Sequence, residues 1–146
     1  MPVSQCAIFD IDGTLIEDVN RKKYKKTNRD FFHTNAEIDS VILYNIAVLK
    51  VLKKCGISIV LISGKDAKYK SYWENWLKEN FIPYDLFLTR KKGDTRETSI
   101  VKAELAMPYV DNCMIAVDDR EDARKAYSSI GIENVVSELF FKDIGA

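Results

Sequence analysis

A chain of 146 residues, 47% of them hydrophobic, has the size and composition of one globular domain with one continuous core. Its 22 lysines and arginines balance 22 aspartates and glutamates, which excludes a net field strong enough for nonspecific attraction to nucleic acid or anionic membrane. Any such binding must come from a local patch. Three cysteines cannot all pair and are expected as buried free thiols, and no apolar run approaches the roughly 20 residues of a membrane span. The start, MPVSQC, has no positive segment followed by an apolar one. A reducing, cytoplasmic compartment with no membrane partner is therefore expected.

In chain order, residues 4–9 form an apolar run that ends on Asp10 and predict a strand. Residues 16–37 are the least regular stretch. They carry the basic run RKKYKK at 21–26 and the pair Phe31 and Phe32, and are expected to form a basic flap, with the lone His33 on its surface. Helices are predicted over 38–54, 68–79, 98–107 and 122–130, where apolar residues recur at three and four; Ile42, Ile46, Leu49 and Leu52 show the pattern best. Strands are predicted over 57–62, 84–88, 113–117 and 134–136, and a weakly structured tail after Phe141. Alternating strands and helices give an α/β fold: three layers around a doubly wound, mainly parallel five-stranded sheet, one domain over 1–146 with no large cap. In such a sheet ligands bind beyond the carboxyl ends of the strands, where strand order reverses.

Those ends carry Asp10 and Asp12 after the first strand, Ser63, Gly64 and Lys65 after the second, Arg90 after the third, and Asp118 and Asp119 after the fourth. In AIFDIDGTL the apolar run breaks at Gly13, so two carboxylates can face one cavity while Thr14 offers a hydroxyl and an N–H to a phosphate. Carboxylates crowded at Asp10, Asp12, Asp118 and Asp119 need a cation to offset their repulsion, and an oxygen-only set suits Mg²⁺. Asp10 can then attack phosphorus, with Asp12 giving a proton to the leaving oxygen and later taking one from water. Ser63, Lys65, Lys102 and the arginines can stabilise charge on the transferred oxygens. There is no GxxxxGK[ST] phosphate loop, since Asp66 follows Lys65.

The order DIDGT, SGK, Lys102, VDDR resembles the haloacid dehalogenase superfamily. The stretches RKKGDTRETSIVK and AVDDREDARKAYSSIGI resemble more narrowly the phosphatase domain of bacteriophage polynucleotide kinase/phosphatase. The resemblance implies that Arg21 and Arg90 touch substrate phosphate. Two positions depart from that pattern: Lys65 stands in place of an arginine, and Thr98 in place of an acid four residues before Lys102. The expected activity is a Mg²⁺-dependent phosphomonoesterase using an aspartyl-phosphate. Its partner would be a nucleic acid 3′-phosphate end or a nucleotide. Two alternatives are a phosphatase for a small metabolite such as a sugar phosphate, and a noncatalytic binding module on the same fold.

Overall fold

The computed structural model describes residues 5–139, so Ser4 and the tail expected after Phe141 lie outside the described residues. Strand β1 (Cys6–Phe9) is apolar and buried at every position, as a strand covered on both faces must be. Its side chains alternate: Ala7 and Phe9 join one apolar cluster with Ile46, Leu49, Trp73 and Leu77, whereas Cys6 and Ile8 join a second with Ala106 and Tyr127. The remaining strands are β2 (Ser58–Asp66), β3 (Leu86–Arg90), β4 (Cys113–Val117) and β5 (Val135–Val136). All pair in parallel, in the order β3-β2-β1-β4-β5.

The helices are α1 (Arg29–Thr34), α2 (Leu43–Lys54), α3 (Lys70–Glu79), α4 (Thr98–Ala106) and α5 (Glu121–Ser129). Helices α2 and α3 supply the first cluster, and α4 and α5 the second, which gives the three layers. Trp73 at the centre of the first cluster is fully buried, and its truncation to alanine should cost about 3–5 kcal/mol. The chain steps outward from β1 to β2 to β3, then returns to the other side of β1 for β4. Strand order thus reverses between β1 and β4, and chemistry is expected beyond their carboxyl ends.

Three of the boundaries that differ from the sequence expectation have a clear local reason. β2 runs on to Asp66, with an irregularity in its pairing to β3 between Ser63 and Asp66, so SGK is a bulged strand end rather than a loop. β3 begins at Leu86, because the Asp85 carboxylate accepts from Ile59 N at 2.8 Å and from Lys53 Nζ at 2.5 Å. α2 begins at Leu43 rather than 38, because Asp39 is extended and its carboxylate accepts from Asn20 N at 2.9 Å and Arg21 Nε at 2.8 Å. The irregular stretch holds α1, capped by Asn28 Oδ1 accepting from Phe31 N at 3.1 Å, between two short 3-10 turns, Lys22–Tyr24 and Ala36–Ile38. All three cysteines are free; Cys55 is exposed rather than buried, since it caps the carboxyl end of α2. Among the described residues no helix is long and apolar enough to cross a membrane.

Candidate active site

Asp10 leaves the end of β1, and its N–H donates to Val117 O at 3.0 Å, tying it to the end of β4. Asp118 follows β4 directly, so adjacent parallel strands deliver two carboxylates side by side. Lys102 reaches both from α4: its Nζ is 3.0 Å from Asp10 Oδ1 and 2.5 Å from Asp118 Oδ2. All three side chains are buried, a placement that charged groups tolerate only when paired. Carboxylate oxygens of Asp10, Asp118 and Asp119 all lie within 4.8 Å of one another. Gly13 makes room for this cluster: its φ is +81°, and a Cβ there would meet Asp119 Oδ2 at 2.1 Å.

Three carboxylates share one ammonium. Burial, and next the charge of Asp118, push the Asp10 carboxyl well above the usual range, and the same two causes raise Asp119. The donors are hard oxygens with two negative charges left uncompensated by Lys102, which fits a hard divalent cation.

Asp12 faces a different set of partners. Its Oδ1 accepts from Arg21 Nη2 at 2.7 Å, and its Oδ2 accepts from the Lys65 ammonium. Burial alone would raise this carboxyl, but Lys65 and then Arg21 override it and hold it below the usual range. Both carboxylate oxygens of Asp12, a residue expected among the metal ligands, thus already accept from cations. Arg21 is fully buried: Nε donates to Asp39 Oδ2 at 2.8 Å, Nη1 to Phe32 O at 3.1 Å and Nη2 also to Glu17 O at 2.9 Å. Its guanidinium lies 5.2 Å from the Trp73 ring centre and 5.7 Å from that of Phe32. Arg21, expected to touch a substrate phosphate, thus braces Asp12 against Asp39 and the core.

Asp10, Asp12, Ser63, Gly64, Lys65, Arg90, Lys102 and Asp119 line one cleft of about 330 Å³, so most of the predicted site residues converge. The bulged end of β2 aims Lys65 inward, and the Ser63 hydroxyl accepts from Lys65 N at 3.2 Å, which leaves its own proton for a ligand. Arg90 stands at the cleft edge but is occupied: it donates to Asp94 O at 3.0 Å, Arg96 O at 2.7 Å and Thr98 Oγ1 at 2.9 Å, bracing the β3–α4 loop. Thr98, the residue that departs from the resemblance, also lies against Gly64, where a Cβ would meet its Cγ2 at 2.4 Å. Thr14 turns into the core. Its N–H donates to Ile11 O at 3.1 Å, its carbonyl accepts from Asn45 Nδ2 at 2.9 Å, and its hydroxyl, expected to meet a phosphate, is buried without a hydrogen-bond partner among the described residues.

Four residues of the site escaped the sequence reading. Asp39 and Trp73 build the socket for Arg21, and Phe32 walls it. His33 is no surface residue: it is half-buried, lines the cleft and sits with Nδ1 3.3 Å from Lys65 Nζ. The pair of phenylalanines preceding it was the available sign that this part of the flap turns inward.

A family model described as the polynucleotide kinase PNKP phosphatase domain matches residues 4–137. Among solved structures, a chain of the Pnkp1/Rnl/Hen1 RNA repair complex superposes with a TM-score of 0.78 at 26% identity, over 96% of this chain and 43% of that one. A second Pnkp1/Rnl/Hen1 complex gives 0.78 and 26%, over 94% of this chain and 48% of that one. The chain thus spans less than half the length of these two chains. Phosphoserine phosphatase in its apo form shares the fold, with a TM-score of 0.63 at 10% identity over 92% of this chain and 86% of that one.

Proposed function

Since the chain belongs to the PNKP phosphatase-domain family of the haloacid dehalogenase superfamily, we propose that it is a Mg²⁺-dependent phosphomonoesterase for nucleic acid 3′-phosphate ends or nucleotides. It would act as one domain in a reducing, cytoplasmic setting. The observation that carries the reading is the division of labour within DIDGT. Asp10 is paired with Lys102 among three clustered carboxylates, while Asp12, two residues on, is held by Arg21 and Lys65. Such a division suits one nucleophile and one proton-handling group.

Asp10, Asp118 and Asp119 would hold Mg²⁺, which supplies charge neutralisation and a binding point for a phosphate oxygen. The Asp10 carboxylate, oriented by Lys102, attacks phosphorus; the bond to the leaving oxygen breaks as Asp12 gives it a proton. Water then attacks the aspartyl-phosphate, Asp12 takes its proton, and phosphate leaves with Asp10 restored. Asp12 is ionised and ready for the second half. For the first half it must carry a proton, taken up from water or from a monoanionic phosphate monoester as that substrate binds, and give up its contact with Lys65, whose ammonium the resulting phosphate dianion draws off. The Ser63 hydroxyl and Lys65 then meet the phosphate oxygens. Lys22, Lys25 and Arg29 along the rim, none of them in an ion pair among the described residues, favour an extended polyanion beyond the terminal phosphate.

The test is a comparison of kcat/KM for a 3′-phosphorylated oligonucleotide, nucleoside 3′- and 5′-monophosphates and sugar phosphates, with Mg²⁺ and with EDTA. Asp10→Asn should lose at least about a thousandfold in kcat. Equal activity in that variant would remove the nucleophile, and a preference for sugar phosphates would replace the substrate.

A further inference from the structure

The sole histidine is held more tightly than an idle surface residue would be. Its carbonyl accepts from the Trp73 indole Nε1 at 2.7 Å, and its ring lies 4.6 Å from that of Tyr69 and 4.8 Å from that of Phe32. The Tyr69 hydroxyl is itself fixed by the Asp30 carboxylate. These contacts determine where the imidazole sits, and Lys65 determines its tautomer. An ammonium has three donors and no lone pair, so at 3.3 Å Lys65 Nζ can only donate to His33 Nδ1. A neutral ring whose Nδ1 accepts must carry its proton on Nε2.

That Nε2 has no hydrogen-bond partner among the described residues and is not sealed from solvent. His33 lines two connected spaces: the cleft that holds Asp10 and Asp12, and a groove of about 790 Å³ beside it that Arg29, Tyr69 and Thr95 also line. On the phosphomonoesterase reading, a phosphorus seated at Asp10 would turn its ester oxygen to Asp12, and these two spaces, which share His33 in their lining, would have room for the group that carries it. We propose that His33 is a specificity-determining residue: a neutral imidazole, fixed as the Nε2–H tautomer by Lys65, that offers its outer N–H to an oxygen on the leaving-group side of the phosphoester. The proposal rests on the phosphomonoesterase reading given above.

The ligand chemistry follows from the donor. A neutral N–H gains little from competing with Lys65 for a phosphate dianion, but it pairs well with a sugar hydroxyl, ring oxygen or neighbouring ester oxygen. A fixed donor that loses its water when substrate binds penalises a leaving group that lacks the acceptor. His33 would thus favour nucleotide-like leaving groups over flat aryl ones. Burial, and after it the Lys65 ammonium, keep the ring neutral by holding its pKa down to about 3. The lysine at position 65 matters here, since its compact head with rotatable donors serves Asp12 and His33 together.

Because the chain has one histidine, ¹⁵N-histidine labelling reports on this ring alone. At pH 7 the spectrum should show a pyrrole-type Nε2 and a pyridine-type Nδ1, and an Nδ1–H pattern would overturn the proposal. Kinetics then separate donor from brace. His33→Asn keeps an acceptor near Nδ1 for Lys65 but removes the outer donor, whereas His33→Gln puts an amide near Nε2. The ratio of kcat/KM for a nucleoside 3′-monophosphate to that for p-nitrophenyl phosphate should fall about three- to tenfold in His33→Asn, the worth of one neutral hydrogen bond, and recover in His33→Gln. An unchanged ratio, including an equal fall on both substrates, would overturn the proposal and leave His33 as a support for Lys65. Failure of the wild type to hydrolyse either ester would instead overturn the phosphatase reading itself, a result that the ratio cannot mimic.

Discussion

Arg21 and Asp12 meet at 2.7 Å with the guanidinium fully sealed and the carboxylate at the cleft wall, so one buried cation links the second carboxylate of DIDGT to the core. Arg21 donates to two carboxylates and two carbonyls. Arg21→Gln would leave Asp39, whose side chain is fully buried, without its cation, and removing one partner of a buried pair costs about 3–5 kcal/mol. Arg21→Lys would keep the charge but lose the fork. Thermal melts should show a loss of roughly 10 °C for Arg21→Gln and a smaller loss for Arg21→Lys. Melting temperatures equal to wild type would mean that the socket carries no stability.

The crowded carboxylates predict an unusual response to metal and to mutation. Mg²⁺ at a hundredfold excess over its Kd should stabilise the protein by about 2.7 kcal/mol. That gain should vanish in Asp118→Asn. The Asp10 carboxyl is raised in the fold, so its contribution to stability is present at low pH and lost as pH rises through its folded pKa. In EDTA at pH 8, Asp10→Asn should therefore melt above the wild type. A lower melting temperature would show that the Lys102 pairing outweighs burial and repulsion.

His33 has the opposite sign. Its folded pKa of about 3 lies below the roughly 6.5 of a free imidazole, so an unfolded chain takes up a proton that the folded one refuses. Stability should decline as pH falls from 6.5 toward 3. Urea midpoints at pH 7.5 and pH 5.0 should differ less in His33→Gln than in wild type. Parallel declines would show that the ring is protonated in the fold.

Gly64 and Thr98 make a contact that can be broken and repaired. Gly64→Ala would drive a Cβ to within 2.4 Å of Thr98 Cγ2 beside Ser63 and Lys65, and should reduce kcat/KM at least about tenfold, since small displacements at a reacting centre are costly. Thr98→Ser removes that methyl and keeps the oxygen for Arg90, so the double variant should regain much of the loss. No recovery would mean that the strain lies in the β2 bulge itself.

How much of this was legible in the sequence depends on how local the cause is. β1 and DIDGT were readable because an unbroken apolar run ending on a carboxylate has few other uses, Asp118 and Asp119 followed from where a strand ends, and Lys102 came from the motif order that resembles the haloacid dehalogenase superfamily. Arg21 was not. Within RKKYKK it looks like its neighbours, and what buries it is Asp39, eighteen residues further along. Thr14 reads equally well as a cleft or a core residue until the turn closes, with the N–H groups of Thr14, Leu15 and Ile16 all directed to Ile11 O. His33 required knowing that Trp73, forty residues away, holds its carbonyl.

The two carboxylates of DIDGT are also set on ground of unequal firmness. β1 is flanked by a strand on each side and covered on both faces, so its amides should exchange with solvent deuterium only when the whole molecule opens. The segment that holds Arg21 and His33 is a six-residue helix between single 3-10 turns, the kind of piece that opens on its own. Asp10 would then keep its place while the wall around Asp12 breathes, and ligands of differing bulk would be admitted without displacing the Asp10 carboxylate.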